Sequence, residues 1–195
     1  MSDHDNDADD SLRWERVATQ SGPDLILFKT RFDEMRNPRN QRVMRRLVLE
    51  SVDWVNMVAR TTDGRLVMVE QFRFGIGNTT IETPGGMVDS GEDSLAAAQR
   101  ELLEETGFGG GAWSYLGSVE PNPAIHPHLC HHWLAEGVHR VAEPRPGQGE
   151  AIAVHVMSES AMRDAIDSGR LRHALALSAL ARVYTLWPAR PAAPE

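Results

Sequence analysis

Three glutamates, Glu101, Glu104 and Glu105, stand together in a stretch whose spacing reads as a helix. At about 100° per residue, Glu101 and Glu105 fall within roughly 40° of each other, with Glu104 about 60° to the other side. Leu95, Ala96, Leu102 and Leu103 fall on the opposite half. Carboxylates packed so closely repel one another and weaken a helix unless a cation sits among them. Oxygen-only ligands suit a hard divalent ion, Mg²⁺ or Mn²⁺, rather than zinc. The stretch from Gly85 to Phe108 therefore reads as a metal-binding, catalytic loop and helix.

The elements around it must hold that helix in place. The predicted helix runs from about Asp93 to Thr106, with Asp93 or Ser90 as its cap and Gly107 at its left-handed end. Asp53–Arg60 and Arg65–Phe72 read as two apolar strands joined by Thr61-Thr62-Asp63-Gly64, a hairpin signal. Further strands are expected at Thr79–Thr83, Trp113–Gly117, His131–Ala135 and Ala151–Val156. Glu143–Glu150 is a Gly/Pro-rich loop, and Ser158–Ser168 and Leu171–Trp187 read as closing helices. Upstream, Asp24–Phe32 and Arg42–Glu50 read as short strands around an Asn37–Asn40 turn. They make a small antiparallel sheet that should pack on the main body or on a second subunit. The order of elements gives an α+β class, a mixed sheet covered by helices. The expected organisation is an acidic disordered tail at 1–11, a β subdomain at 12–52, a main domain at 53–187 and a flexible tail at 188–195.

The formal charge is −8, of which Asp3, Asp5, Asp7, Asp9 and Asp10 supply five, so the rest is close to neutral. That balance argues against a broad nucleic-acid-binding surface. No apolar run suits export or a membrane span, and the single cysteine, Cys130, fits a reducing cytoplasm.

Gly86, Glu92, Arg100-Glu101-Leu102, Glu104-Glu105, Gly107 and Phe108 fall at the spacing of the Nudix box. The chain thus resembles the Nudix hydrolases. The resemblance implies a Nudix fold, an α/β/α sandwich, and a Mg²⁺-dependent hydrolase (Mn²⁺ as a substitute) acting on nucleoside diphosphate compounds. Glu101 and Glu105 match the metal-ligand glutamates, Glu104 a third reached through water, and the Gly85 carbonyl a backbone ligand. Glu92 and Arg100 match a pair that braces the loop against the helix. Such an ion would neutralise a polyanionic phosphoanhydride and lower the pKa of the attacking water.

Around the box, Glu70–Gly75, Ile81–Gly86 and Glu150–Val156 resemble segments of the ADP-ribose pyrophosphatase group. Pro123, 16 residues after Gly107, matches that group's marker proline. The likeness implies a homodimer joined partly through the N-terminal strands, and Glu150 as a base on a mobile loop. A surface glutamate at a strand start is the other reading of Glu150. Arg73 suits a phosphate or ribose contact or a structural ion pair, and Glu82 a support of metal or substrate. Trp14 and Trp54 suit adenine stacking, core packing or an interface. Where the group carries Ser-Pro-Gly, this chain has Asn122-Pro123-Ala124, so other NDP-sugars and dinucleotides stay open beside ADP-ribose, as does a non-catalytic nucleotide sensor. His126, His128, His131 and His132 crowd Cys130 as zinc ligands would. Strand alternation sends His131 and His132 to opposite faces, which favours substrate contact or packing instead.

Overall fold

The computed structural model describes residues 10–187. Residues 1–9 and 188–195, expected above to be tails, lie outside the described residues. The chain divides into two compact units. One holds the described residues up to Ser51 together with Asn122–His128, and the other holds Val52–Pro121 and the chain from Leu129 onward.

The first unit is an antiparallel sheet of β1 (Glu15–Leu25), β2 (Phe28–Arg36) and β3 (Val43–Glu50), in that order. The strand predicted over Asp24–Phe32 is in fact a hairpin, with Leu25 paired to Phe28. Asp24 Oδ1 accepts the Ile26 N–H at 3.1 Å, and Ile26 takes a φ of 66°. A short polar side chain that satisfies the backbone two residues on makes the turn, despite the apolar run. Segment 122–128 joins this sheet: the Leu49 N–H donates to the Ile125 carbonyl at 2.9 Å, and His126 stacks on Phe28 at 5.1 Å between centroids. The Arg46 guanidinium lies 5.4 Å from the Trp14 ring, so that ring is engaged in a cation–π contact.

The second unit carries β4 (Trp54–Thr61), β5 (Leu66–Arg73), β6 (Asn78–Glu82), β7 (Gly85–Met87), α1 (Ser94–Thr106), β8 (Phe108–Gly109), β9 (Ala112–Val119), β10 (Cys130–Arg140), β11 (Ile152–Met157), α2 (Glu159–Asp167) and α3 (Ala174–Ala181). Its sheet runs β11-β5-β4-β10-β8, with β6 on β5, β7 on β4 and β9 on β10. Only the β4–β10 pair is parallel, so the sheet is mixed, as expected. Strand alternation splits the core in two. Val55, Met57, Ala59 and Val67 pack with Ala97, Ala98 and Leu102 of α1. Val58, Leu66 and Met68 pack with Met162 of α2 and Ala176 and Leu180 of α3. Each such large side chain contributes about 1.5–3 kcal/mol on burial. The sheet is thereby fixed between helices on both faces, which is the α/β/α arrangement.

The last helix is shorter than its pattern predicts, spanning Ala174–Ala181 rather than Leu171–Trp187. Upstream, the Arg170 carbonyl accepts the Ile81 N–H at 3.0 Å, and Leu171 is fully buried, so the chain runs along β6 before it coils. Downstream, Arg163 Nη1 donates to the Thr185 carbonyl at 2.9 Å and holds a turned segment. Both ends are set by tertiary partners that a helical period does not reveal.

Candidate active site

Helix α1 begins where Asp93 accepts the N–H groups of Leu95 and Ala96, and ends at Gly107, whose φ of 73° closes the left-handed cap. With Ala97, Ala98 and Leu102 pinned in the core, Glu101 and Glu105 project beside β7. Glu105 is only 2% exposed and accepts the Gly85 N–H at 3.0 Å. Burial pushes its carboxyl up to about 8, and the charges of Glu101 and Glu150 add to this, against the pull of the Gly85 N–H and Arg73. Glu101 is raised too, chiefly by burial, with Glu104 and Glu150 adding and Arg100 opposing. A Cβ on Gly86 would lie 2.3 Å from the Glu101 carboxylate carbon, so a side chain there would push that carboxylate aside. Gly85 is more firmly confined, since its Cβ would meet Asn56 Nδ2 at 2.2 Å and the fixed Val55 carbonyl at 2.3 Å.

Arg100 ties these parts together. Its Nε and Nη2 grip the two Glu92 oxygens at 3.0 and 2.9 Å, and Nη2 also donates to the Met87 carbonyl at 2.9 Å. Nη1 reaches Glu101 at 2.8 Å and Glu104 at 3.4 Å. Glu92 in turn accepts the Asp89 N–H at 3.1 Å, so the loop before α1 is laced to it. The guanidinium holds Glu92 below the usual carboxylate range.

The donor set suits a divalent cation. Burial raises the proton affinity of both carboxylates, and an ion beside them would replace the protons. Among the described residues no three His, Cys, Asp or Glu side chains already converge as a metal cage. Glu101 is held by Arg100 and Glu105 by Gly85, so the two carboxylates are brought alongside each other but not closed on one point.

The other predicted site residues fall in different places. Arg73 donates from Nε to Glu82 Oε1 at 2.7 Å and from Nη2 to the other oxygen, so these two are each other's partner. Glu82 is fully buried, and His173 Nδ1 lies 3.3 Å from it. Arg73 also feels the charges of Glu105 and Glu150. Glu150 is exposed, and its carboxylate accepts the Gly147 N–H of its own loop at 2.8 Å. Pro123 lies in the 122–128 segment of the first unit, as do His126 and His128. Trp54 is paired with Met87 along β4 and β7. His131 bonds Tyr115 Oη at 2.9 Å and Asp53 Oδ2 at 3.1 Å, while buried His132 faces Ser178 Oγ at 3.1 Å. Sequence reasoning missed His173 and Asn56; both act across the fold, and no spacing signals them.

The family model of the NUDIX domain matches residues 52–177. The chain belongs to the Nudix hydrolase family. Enzymes of this kind act on phosphoanhydride bonds. The chain is 27% identical over 190 residues to the ADP-ribose pyrophosphatase of Mycobacterium tuberculosis, across 95% of this chain and 86% of that protein. It is 30% identical over 106 residues to the ADP-ribose pyrophosphatase of Bacillus subtilis, covering 54% of this chain and 57% of the relative. Likeness to the ADP-sugar pyrophosphatase of Mus musculus is 30% over 125 residues, or 61% and 56%. A crystal structure of an ADP compounds hydrolase superposes with a TM-score of 0.75 at 20% identity, over 88% of this chain and 92% of that one, and shares the fold. No helix among the described residues is long and apolar enough to cross a membrane.

Proposed function

We propose that this Nudix hydrolase cleaves the diphosphate of an NDP-sugar, with ADP-ribose, giving AMP and ribose 5-phosphate, as its foremost substrate. The observation that carries the chemistry is the pair of carboxylates, half-buried Glu101 and buried Glu105, set against two glycines whose backbone they approach closely. The near full-length likeness to an ADP-ribose pyrophosphatase supports the substrate.

Glu101, Glu105 and the Gly85 carbonyl would hold Mg²⁺, for which Mn²⁺ could substitute, and Glu104 would assist. When bound, the ion neutralises charge on the phosphates and lowers the pKa of water. Arg100 orients Glu101 and opposes its protonation, and Glu92 keeps Arg100 in place. Arg73, anchored by Glu82, is a guanidinium suited to a phosphate oxygen near the carboxylates whose charge it feels. Glu150 swings from its bond with Gly147 and takes the proton of the attacking water. The enzyme works as a cytoplasmic homodimer, with the N-terminal strands in its interface. Exposed Val17, Val43 and Leu47 on those strands support an interface, and a lone, buried Cys130 supports a reducing compartment.

A second reading, another nucleoside diphosphate compound, is favoured by the segment Asn122-Pro123-Ala124, where His126 stacks on Phe28. Mg²⁺-dependent release of nucleoside monophosphate across a panel of NDP-sugars and dinucleotides separates the two. ADP-ribose should lead the panel and Glu101→Gln should abolish turnover. Tight nucleotide binding without turnover of any compound would replace both readings with a sensor.

A further inference from the structure

One peptide unit in the loop before α1 is held at both ends. The Pro84 carbonyl accepts the side-chain N–H of Asn56 at 3.3 Å and the Met57 N–H at 3.0 Å. The other end of the same planar group, the Gly85 N–H, donates to Glu105 at 3.0 Å. Asn56 and Gly85 are direct partners in the β4–β7 register. The Gly85 Cα lies so close to Asn56 that any Cβ would sit 2.2 Å from Nδ2.

Asn56 is itself buried. A carbonyl can only accept, so the amide nitrogen must face Pro84 and the amide oxygen must accept. Its donor is the Cys130 thiol, with Sγ 3.5 Å from Oδ1. That sulfur lies 4.0 Å from His132 Nδ1, and His132 Nε2 lies 3.1 Å from Ser178 Oγ. With the thiol proton given to Asn56, His132 donates from Nδ1 and accepts from Ser178. Every donor in the row then points from α3 toward the loop. Burial keeps the row neutral, holding the Cys130 thiol up at about 12 and His132 down at about 4.

We infer that Asn56 is a positioning residue of the metal site, setting the plane of the Pro84–Gly85 peptide so that its N–H aims the Glu105 carboxylate. A hydrogen bond on a peptide carbonyl also polarises its N–H, so the grip on Pro84 strengthens the bond to Glu105. The inference rests on the reading of Glu105 as a metal ligand. A side chain acting through a ligand in this way carries about 10–100-fold in metal affinity.

The test is Mn²⁺ binding to the substrate-free full chain, followed by the spin-resonance signal of free Mn²⁺, with thermal unfolding in EDTA beside it. Asn56→Leu keeps the volume and removes both hydrogen bonds. Asn56→Ser stays neutral and compact but falls one atom short of Pro84, so it tests the same contact if the leucine variant does not fold. Each folded variant should bind Mn²⁺ about 10–100-fold more weakly than the wild type. In a Glu105→Gln background the change at Asn56 should cost almost nothing further, since the two act on one ligand. Wild-type affinity in a folded Asn56 variant, or full additivity with Glu105→Gln, overturns the inference. If the wild type itself binds no Mn²⁺, the assignment of Glu105 as a ligand falls first, and the inference with it.

Discussion

Arg73 and Glu82 form a two-armed ion pair in which the carboxylate is fully buried and the guanidinium remains partly exposed. Glu82 thus spends both oxygens on Arg73, with His173 Nδ1 only 3.3 Å away, which makes it an anchor. Removing the cation would leave a buried charge with too few partners. Arg73→Ala should therefore destabilise the fold by roughly 2–4 kcal/mol, somewhat less than a fully buried pair because half the guanidinium meets water. Glu82→Gln, which leaves no stranded anion, should cost less. Urea denaturation of the two variants gives the order.

Arg100 serves Glu92, Glu101, Glu104 and the Met87 carbonyl with three nitrogens in one plane. A lysine supplies charge but not that fork. Arg100→Lys should fold and still lose about tenfold or more in apparent affinity for Mg²⁺, read from the metal dependence of turnover. Unchanged metal dependence would reduce Arg100 to a surface brace.

Glu105 gives the metal-free protein a pH dependence of definite sign. Its folded-state pKa, pushed up to about 8, lies above the ordinary 4.5 of an unfolded chain. The folded state therefore keeps a proton that the unfolded state releases. This contribution to stability is whole below about 4.5 and is lost as pH rises through about 8. The slope per proton is at most about 1.4 kcal/mol per pH unit, and Glu101, raised in the same direction, adds to it. In EDTA the Tm should fall between pH 5 and 8, roughly 2–4 °C for each kcal/mol in a chain of this size. Added Mg²⁺ should raise the Tm more at pH 8 than at pH 6.

Glu150, bonded to the Gly147 N–H of its own loop, adds to the raised proton affinity of Glu101 and Glu105. Glu150→Gln should lower kcat by about 10²–10⁴ with little change in KM, the mark of a lost proton acceptor. Steady-state kinetics with ADP-ribose decides it; an intact kcat assigns the base elsewhere.

Helix α1 was legible because its signals are local: a capping aspartate, a terminal glycine and carboxylates on one side. The hairpin at Ile26 was not, because an apolar run hid a turn made by Asp24 two residues earlier. Arg73 and Glu82 were both legible as charged groups of interest, but not as partners, since their pairing depends on the β5–β6 register. Asn56 and Cys130 stand 74 residues apart and meet only through the parallel β4–β10 pairing. Spacing along the chain names groups on one element; contacts made by pairing strands stay silent until the register is known.

The chain leaves its first compact unit after Ser51 and comes back for Asn122–His128 alone. Those seven residues are held there by Leu49 and Phe28, yet they are continuous with β9 and β10 on either side. No single cut can therefore separate the units cleanly. A fragment starting at Val52 would carry an orphaned loop stripped of its backbone acceptor pairing and its stacking ring, while the N-terminal sheet alone would lack a piece it already contains. The chain passes between the units three times, at 51–52, 121–122 and 128–129, so trimming from one end yields neither unit intact and alone.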